Sequence, residues 1–327
     1  MSLIETMRKG DHSLPLLKWR KILASVALIG LPLYSLGSFT NVNSIVGLEG
    51  IRANAASVQA TVIPDEISDQ ARIFANQIAS EPPFTSWNQA DLSITALGPG
   101  THSWLVLVKN NKQSIVGYMV LNAMEAGGYQ LGEYGLSSEP LFGGQSFEHS
   151  MLQLGLSKST GTDKIGAERI YIHPLLTAWK ITSDSTSYYT DAATGEQLPV
   201  SAEGWETSAE TEQAQAALFQ AHTDHKLQKS HSIASFDPYA KLSWITNKPL
   251  DINSVKYSSL LVKINGQQQL RYIAERFDGQ MLYAWSVVGY HSWTSGHAYI
   301  ALEAGEDSGL RRYIPLQLLL GLGSFYS

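Results

Sequence analysis

The sequence predicts an α+β protein: an N-terminal transmembrane helix followed by two mainly antiparallel β-sheet domains with a few short helices. Three observations carry this expectation. An uncharged run, Ile22 to Phe39, follows a basic cluster; short β-branched and aromatic runs alternate with Gly-containing turns; and a stretch rich in Ala, Glu, Gln, Thr and Lys, Glu206 to Ser230, separates two such β-rich blocks. With 44% hydrophobic and 16% charged residues, the 327-residue chain has enough apolar mass to bury a core and does not resemble a disordered segment. Twelve prolines and 27 glycines favour many turns over a helical bundle.

The first boundary is set by charge. Before Ile22 stand Arg8, Lys9, Lys18, Arg20 and Lys21 against Glu5 and Asp11, whereas the remainder of the chain is acidic. Eighteen uncharged residues span about 27 Å as a helix, enough to cross a hydrocarbon core. The basic side is expected to stay in the cytoplasm, which places residues after about Thr40 outside. A cleaved signal peptide is the competing reading, since Ala53-Asn54-Ala55 has the small-x-small form. It lies far beyond the apolar run, and we favour an uncleaved anchor. The expected organisation is a cytoplasmic segment (1–21), a signal-anchor (22–39), a spacer poor in large residues (40–62), a first external domain (63–205), a connecting helix or linker (206–230) and a C-terminal β-rich domain (231–327).

The first external domain opens on "PDEISDQARIFANQIAS". Pro64 begins the first turn, Asp65 and Glu66 sit where the helix dipole favours anions, and Ile67, Ala71, Ile73, Phe74 and Ile78 are expected on one face. Strands follow at "SWLVLVK" and "SIVGYMVLNA", joined across the polar turn Asn110 to Gln113, and at "YQLGEYG" after Gly127-Gly128. A short helix is expected around Phe147 to Leu156, then strands at "ERIYIHP" and "TAWKIT". "SYYTDAATGEQLP", Ser187 to Pro199, reads as strand, turn, strand, with Asp191 bonding the turn backbone and Gly195 supplying a positive φ. In the C-terminal block, "SSLLVKI", the Asn265-Gly266 turn, "QLRYIAERF", the Asp278-Gly279 turn, "MLYAWSVVGY" and "HAYIALEA" read as a meander, closed by a short apolar helix after Pro315.

Several function classes lose support at this level. The chain has no cysteine, which removes thiol catalysis and thiolate metal sites. It has no Gly-rich phosphate loop, no cofactor motif and no basic-aromatic stripe, so neither a cofactor nor a nucleic-acid partner is expected. His222, Asp224 and His225, with His231 further on, have metal-like types and spacing, but a linker offers little second-shell support and a solvated surface is the expectation. His291, His297 and Asp307, with Ser286, Ser292 and Ser295 nearby, supply the residue types of a hydrolase without a nucleophile elbow. Carboxylate pairs such as Glu125 with Glu133, or Glu275 with Asp278, are indistinguishable from ordinary sheet charges.

"YYTDAATGEQL" together with the preceding "AWKIT", Ala178 to Thr182, resembles the closing strands of PepSY-type modules, found in propeptides of secreted peptidases and in envelope proteins. The resemblance covers Ala178 to Leu198, and more loosely Pro64 to Leu198, making 63–205 a PepSY-like domain; the C-terminal domain has no such likeness. It implies a protein-binding or inhibitory role and no catalytic residue. The expected function is therefore a membrane-anchored, extracytoplasmic binding or regulatory protein of the cell envelope, binding or restraining a peptidase or peptide, with the membrane itself as partner through 22–39. The alternative is an envelope hydrolase using the His291 to Asp307 region.

Overall fold

A computed structural model of the chain describes residues 64–98, 102–125, 127–156, 165–218, 226–253, 257–294, 296–306 and 308–327. In chain order these form α1 (Asp65–Ile78), β1 (Asp91–Leu97), β2 (Ser103–Lys109), β3 (Ile115–Ala123), β4 (Tyr129–Leu136), α2 (Gly144–Gln153), β5 (Ile165–His173), β6 (Leu176–Ser183), β7 (Thr186–Asp191), α3 (Ala202–Leu218) and β8 (Leu227–Ser232). The one-turn α4 (Ser243–Thr246), α5 (Tyr257–Asn265), β9 (Leu270–Arg276), β10 (Met281–Trp293), β11 (Ala298–Glu303), β12 (Arg311–Pro315), α6 (Leu316–Leu322) and β13 (Ser324–Tyr326) complete the order.

The expected fold class requires correction. The described residues are mostly β, in two sheets, and no helix among them is long and apolar enough to cross a membrane. The run Ile22 to Phe39 lies outside the described residues. Nor do the two β-rich blocks form separate sheets. One ten-stranded antiparallel sheet runs β1-β2-β3-β4-β12-β11-β10-β9-β13, with β8 on β10, so it holds strands from both sides of 206–230. The join is the pairing of Tyr134 with Tyr313, Gly135 with Arg312 and Leu136 with Arg311. A second sheet, β5-β6-β7, has three strands.

Both faces of the large sheet are covered, which explains why its strands read as near-continuous apolar runs. On β3, Met119 and Leu121 face one core with Val106, Val108 and Tyr134 beneath α1. The alternate residues Tyr118 and Val120 face a second core with Leu105, α2 and the small sheet's Tyr171, Trp179 and Ile181. The same alternation divides β11: Tyr299 and Ala301 join the α1 core, while Ile300 and Leu302 join a third core under α5 and α6. The far face of the small sheet packs Leu176, Ala178 and Tyr189 on Trp205 of α3, with the Tyr189 and Trp205 rings stacked at 4.7 Å.

Local expectations meet the structure unevenly. Along α1, Ile67, Ala71, Phe74 and Ile78 are buried as expected, but Ile73 is 44% exposed, because it falls off the stripe that Ala75 completes. "SSLLVKI" is not a strand: it lies in α5, where Leu260 and Ile264, four apart, are buried and Val262 is 68% exposed. In a half-buried strand all three would share a face. β8 occupies the end of the stretch expected to be a linker, and pairs with the distal half of β10 after β9 has paired with the proximal half. β10 changes partner at Gly289, where a Cβ would overlap the His231 carbonyl.

The stretch from Ser187 is a strand followed by a single bridge. β6 and β7 form the hairpin, turning at Asp184 and Ser185, both with positive φ. After β7 the chain returns through the Thr190 to Gln197 bridge, with the Asp191 amide donating to the Glu196 carbonyl and the Leu198 amide to the Tyr189 carbonyl.

Candidate functional site

The candidate site is a cleft of about 560 Å³ where α2, the turn after β7, the start of β10 and the end of β11 converge. Its architecture begins with Asp191, the last residue of β7. Oδ1 accepts the Ala193 and Thr194 amides at 2.8 and 2.9 Å, and the Thr194 hydroxyl at 3.3 Å. Oδ2 accepts the Tyr283 hydroxyl at 3.0 Å. One carboxylate thus shapes the turn and fixes a β10 tyrosine at the cleft wall. Burial, with Asp191 adding to it, raises the Tyr283 pKa well above the usual phenol value, so its hydroxyl remains a donor.

The turn is clamped to α2 from the other side. Gly195 has φ +77°, and a Cβ there would overlap the Ser146 carbonyl. Glycine is required by conformation and by approach together. His149 Nδ1 lies 2.6 Å from the Thr194 carbonyl, so it carries the proton and donates. Nε2 is then the acceptor for Gln153 Nε2 at 3.2 Å. Deeper in, the Ser150 and Thr190 hydroxyls bond at 2.6 Å, and Trp179 Nε1 donates to the Ser146 hydroxyl at 3.2 Å.

Trp285 and Arg312 form part of the lining. The Arg312 guanidinium lies 5.5 Å from the centre of the Trp285 ring. Its Nε and Nη2 each donate to Glu133 at 2.9 Å, and Nη2 also to the Pro174 carbonyl at 2.6 Å. The Tyr118 hydroxyl donates to Glu133 Oε2 at 3.0 Å. Burial alone would lower the Arg312 pKa, but the Glu133 carboxylate beside it outweighs that and holds it above the ordinary value. This cation is therefore already neutralised within the fold. Glu139 and Glu196 line the same cleft from exposed positions, and neither is ion-paired among the described residues.

A second buried polar cluster secures α3. His173 accepts the Leu175 amide at Nδ1, 3.1 Å away, so Nε2 carries the proton and donates to Glu212 at 2.7 Å. Arg276 donates to the same carboxylate oxygen. Burial pushes the Glu212 carboxyl up, yet the bonds from His173 and Arg276 outweigh it and hold its pKa below normal.

The residues singled out in the sequence lie elsewhere. His291 is 1% exposed in the α1 core, 2.7 Å from the Tyr134 hydroxyl through Nδ1 and against the rings of Phe84 and Tyr313. Burial pushes its pKa down to about 3. The His297 carbonyl accepts the Trp293 amide at 2.9 Å, closing the β10 to β11 turn; Asp307 and Ser295 lie outside the described residues. The hydroxyl of Ser286 donates to the Glu303 carbonyl at 3.1 Å. His222, Asp224 and His225 are outside the described residues, and His231 pairs with Tyr290 on β10. Among the described residues no group of three His, Asp or Glu side chains converges as a metal site. Glu133, weighed with Glu125 as a carboxylate pair, is instead the partner of Arg312.

Sequence reasoning placed Asp191 and Gly195 in their local roles but did not assemble the cleft. Of its walls, Tyr283 and Trp285 belong to the strand expected at "MLYAWSVVGY", and Tyr239 carries no expectation from the sequence. The one local signal for the site was the acid and glycine of "TDAATGE" beside an aromatic-rich strand. No known family, characterised protein or solved structure matches the chain.

Proposed function

We propose that this is a non-catalytic binding or regulatory protein of the cell envelope, whose cleft receives an extended polypeptide, either a free peptide or a segment of a peptidase. The single observation behind this reading is the cleft's construction. Its lining is rich in aromatic and apolar side chains, and one of them, Tyr239, is about half exposed; Leu242 and Ile245, a few residues further along the chain, are also in solvent. An apolar lining of this kind suits a polypeptide better than a small polar metabolite. The resemblance of Ala178 to Leu198 to PepSY-type modules favours the same class, because Asp191 and Gly195 of that stretch build one side of the cleft. Location at the outer face of the cell membrane is part of the proposal and rests on the charge asymmetry around Ile22 to Phe39.

The test uses the full chain carrying a photo-crosslinking residue at Leu282, which lines the cleft. A second chain carries it at Ile73, on the exposed side of α1. Polypeptide adducts at position 282, with few at 73, are expected in cells. Equal labelling at both positions, or no polypeptide adduct at 282, sinks the proposal.

A further inference from the structure

Building on the binding reading above, we infer that the cleft selects a positively charged segment, one that presents arginine or lysine side chains in extended conformation. The charge balance inside the cleft points there. Of the groups that line it, Arg312 has its charge met by the bidentate Glu133 pair, and Asp191 spends both oxygens on the turn and on Tyr283. His149 donates through Nδ1 to the Thr194 carbonyl and accepts from Gln153 through Nε2. What remains facing solvent is the pair Glu139 and Glu196, one before α2 and one on the turn, with no cation opposite either among the described residues.

Aromatic residues share the cleft lining with these carboxylates. Tyr283 and Trp285 lie 5.0 Å apart, centroid to centroid, and Tyr239 closes the rim. Aromatic rings and carboxylates lining one cleft supply the two groups that hold a guanidinium or ammonium group, the ring taking the flat cation and the carboxylate its N–H groups. The protein already contains one such unit, since Arg312 lies against Trp285 while bonded to Glu133. A volume of about 560 Å³ falls among ordinary ligand pockets, which span roughly 300–1,000 Å³, so the cleft holds a few side chains and not a folded domain.

The experiment measures binding of the full chain to three fluorescein-labelled decapeptides by anisotropy. They share a Gly, Ala and Tyr background and carry four Arg, four Gln or four Glu at the same positions; a chitin-type hexasaccharide is titrated in parallel. The Arg peptide is expected to bind at least tenfold tighter than the Gln peptide, with the Glu peptide weakest and the preference shrinking as salt rises. The double variant Glu139→Gln/Glu196→Gln should lose most of that preference while melting like the parent, because both side chains are exposed. Equal binding of the Arg and Gln peptides overturns the charge inference and leaves the peptide reading standing. Binding of the sugar alone, or of no probe, overturns both. Tight binding of the Arg peptide that ignores the double variant assigns the contact to another surface and overturns the inference.

Discussion

Arg312 and Glu133 stand 179 residues apart in the chain and meet in a bidentate ion pair, with Glu133 wholly excluded from solvent. They are brought together by the β4 to β12 pairing, in which Arg312 lies opposite Gly135. A buried charge left without its partner is far more costly than the pair itself is stabilising. Glu133→Gln is therefore expected to cost about 3–5 kcal/mol in urea unfolding. The double variant Glu133→Leu/Arg312→Met should recover most of that loss. Additive losses in the double variant would show that the two residues do not act as a pair.

Asp191 accepts four hydrogen bonds, one of them from Tyr283. Asp191→Ala is expected to destabilise by roughly 1.5–3 kcal/mol or more, the range for a hydrogen bond to a charged group. Tyr283→Phe removes a single bond and should cost about 1–2 kcal/mol. In amide exchange, both should speed opening of 192–196 while leaving β2 and β3 protected.

Gly195→Ala places a Cβ at φ +77° and against the Ser146 carbonyl. About 2 kcal/mol or more of destabilisation is expected from backbone strain with the overlap added. A neutral result would mean that the turn and α2 separate without penalty.

His291 contributes to the acid limb of the stability profile, together with His173, whose pKa burial also lowers, and Glu212, whose pKa its bonds to His173 and Arg276 lower. The His291 pKa, normally 6.5, is pushed down to about 3 by burial in the folded protein. Between these values the unfolded chain binds a proton that the folded chain refuses, so stability falls as pH drops from about 6.5 towards 3. The full drop attributable to this residue is on the order of 5 kcal/mol. His291→Phe should make the profile shallower across that window, leaving the share of His173, at a neutral-pH cost of about 1 kcal/mol for the lost Tyr134 bond. An unchanged slope between pH 6 and 4 would remove His291 as a source of it.

Much of the secondary structure was legible because local signals and tertiary environment agree. β2, β3, β9, β10 and β11 are β-branched and aromatic runs bounded by turn residues, and they form where those signals stand. β1 was missed although Leu92, Ile94 and Ala96 alternate cleanly ahead of Gly98. β8 was missed for a different reason: "LQKSHS" has neither alternation nor β-branched residues, and it forms because the distal half of β10 offers an unpaired edge. "SSLLVKI" misled because Leu260, Val262 and Ile264 satisfy both a strand period and, through 260 and 264, a helix period. The candidate site was the least legible part. Tyr283 and Asp191 are 92 residues apart, and their meeting depends on how the small sheet lies on the large one, which no local pattern records.

The pairing of β4 with β12 also governs how the chain reaches this structure. β4 ends at Leu136, and its partner begins at Arg311, so about 175 residues separate the two edges. At ribosomal rates of about 5–20 residues per second, the edge of β4 waits roughly 9–35 s for its partner to be made. During that interval the nascent chain carries an open, apolar strand edge, the feature most prone to pairing with a neighbour's. The topology has a high contact order, which predicts slow refolding from denaturant and a yield that drops as concentration rises. The exposure of that edge belongs to biosynthesis and not to the finished fold, in which β12 covers it.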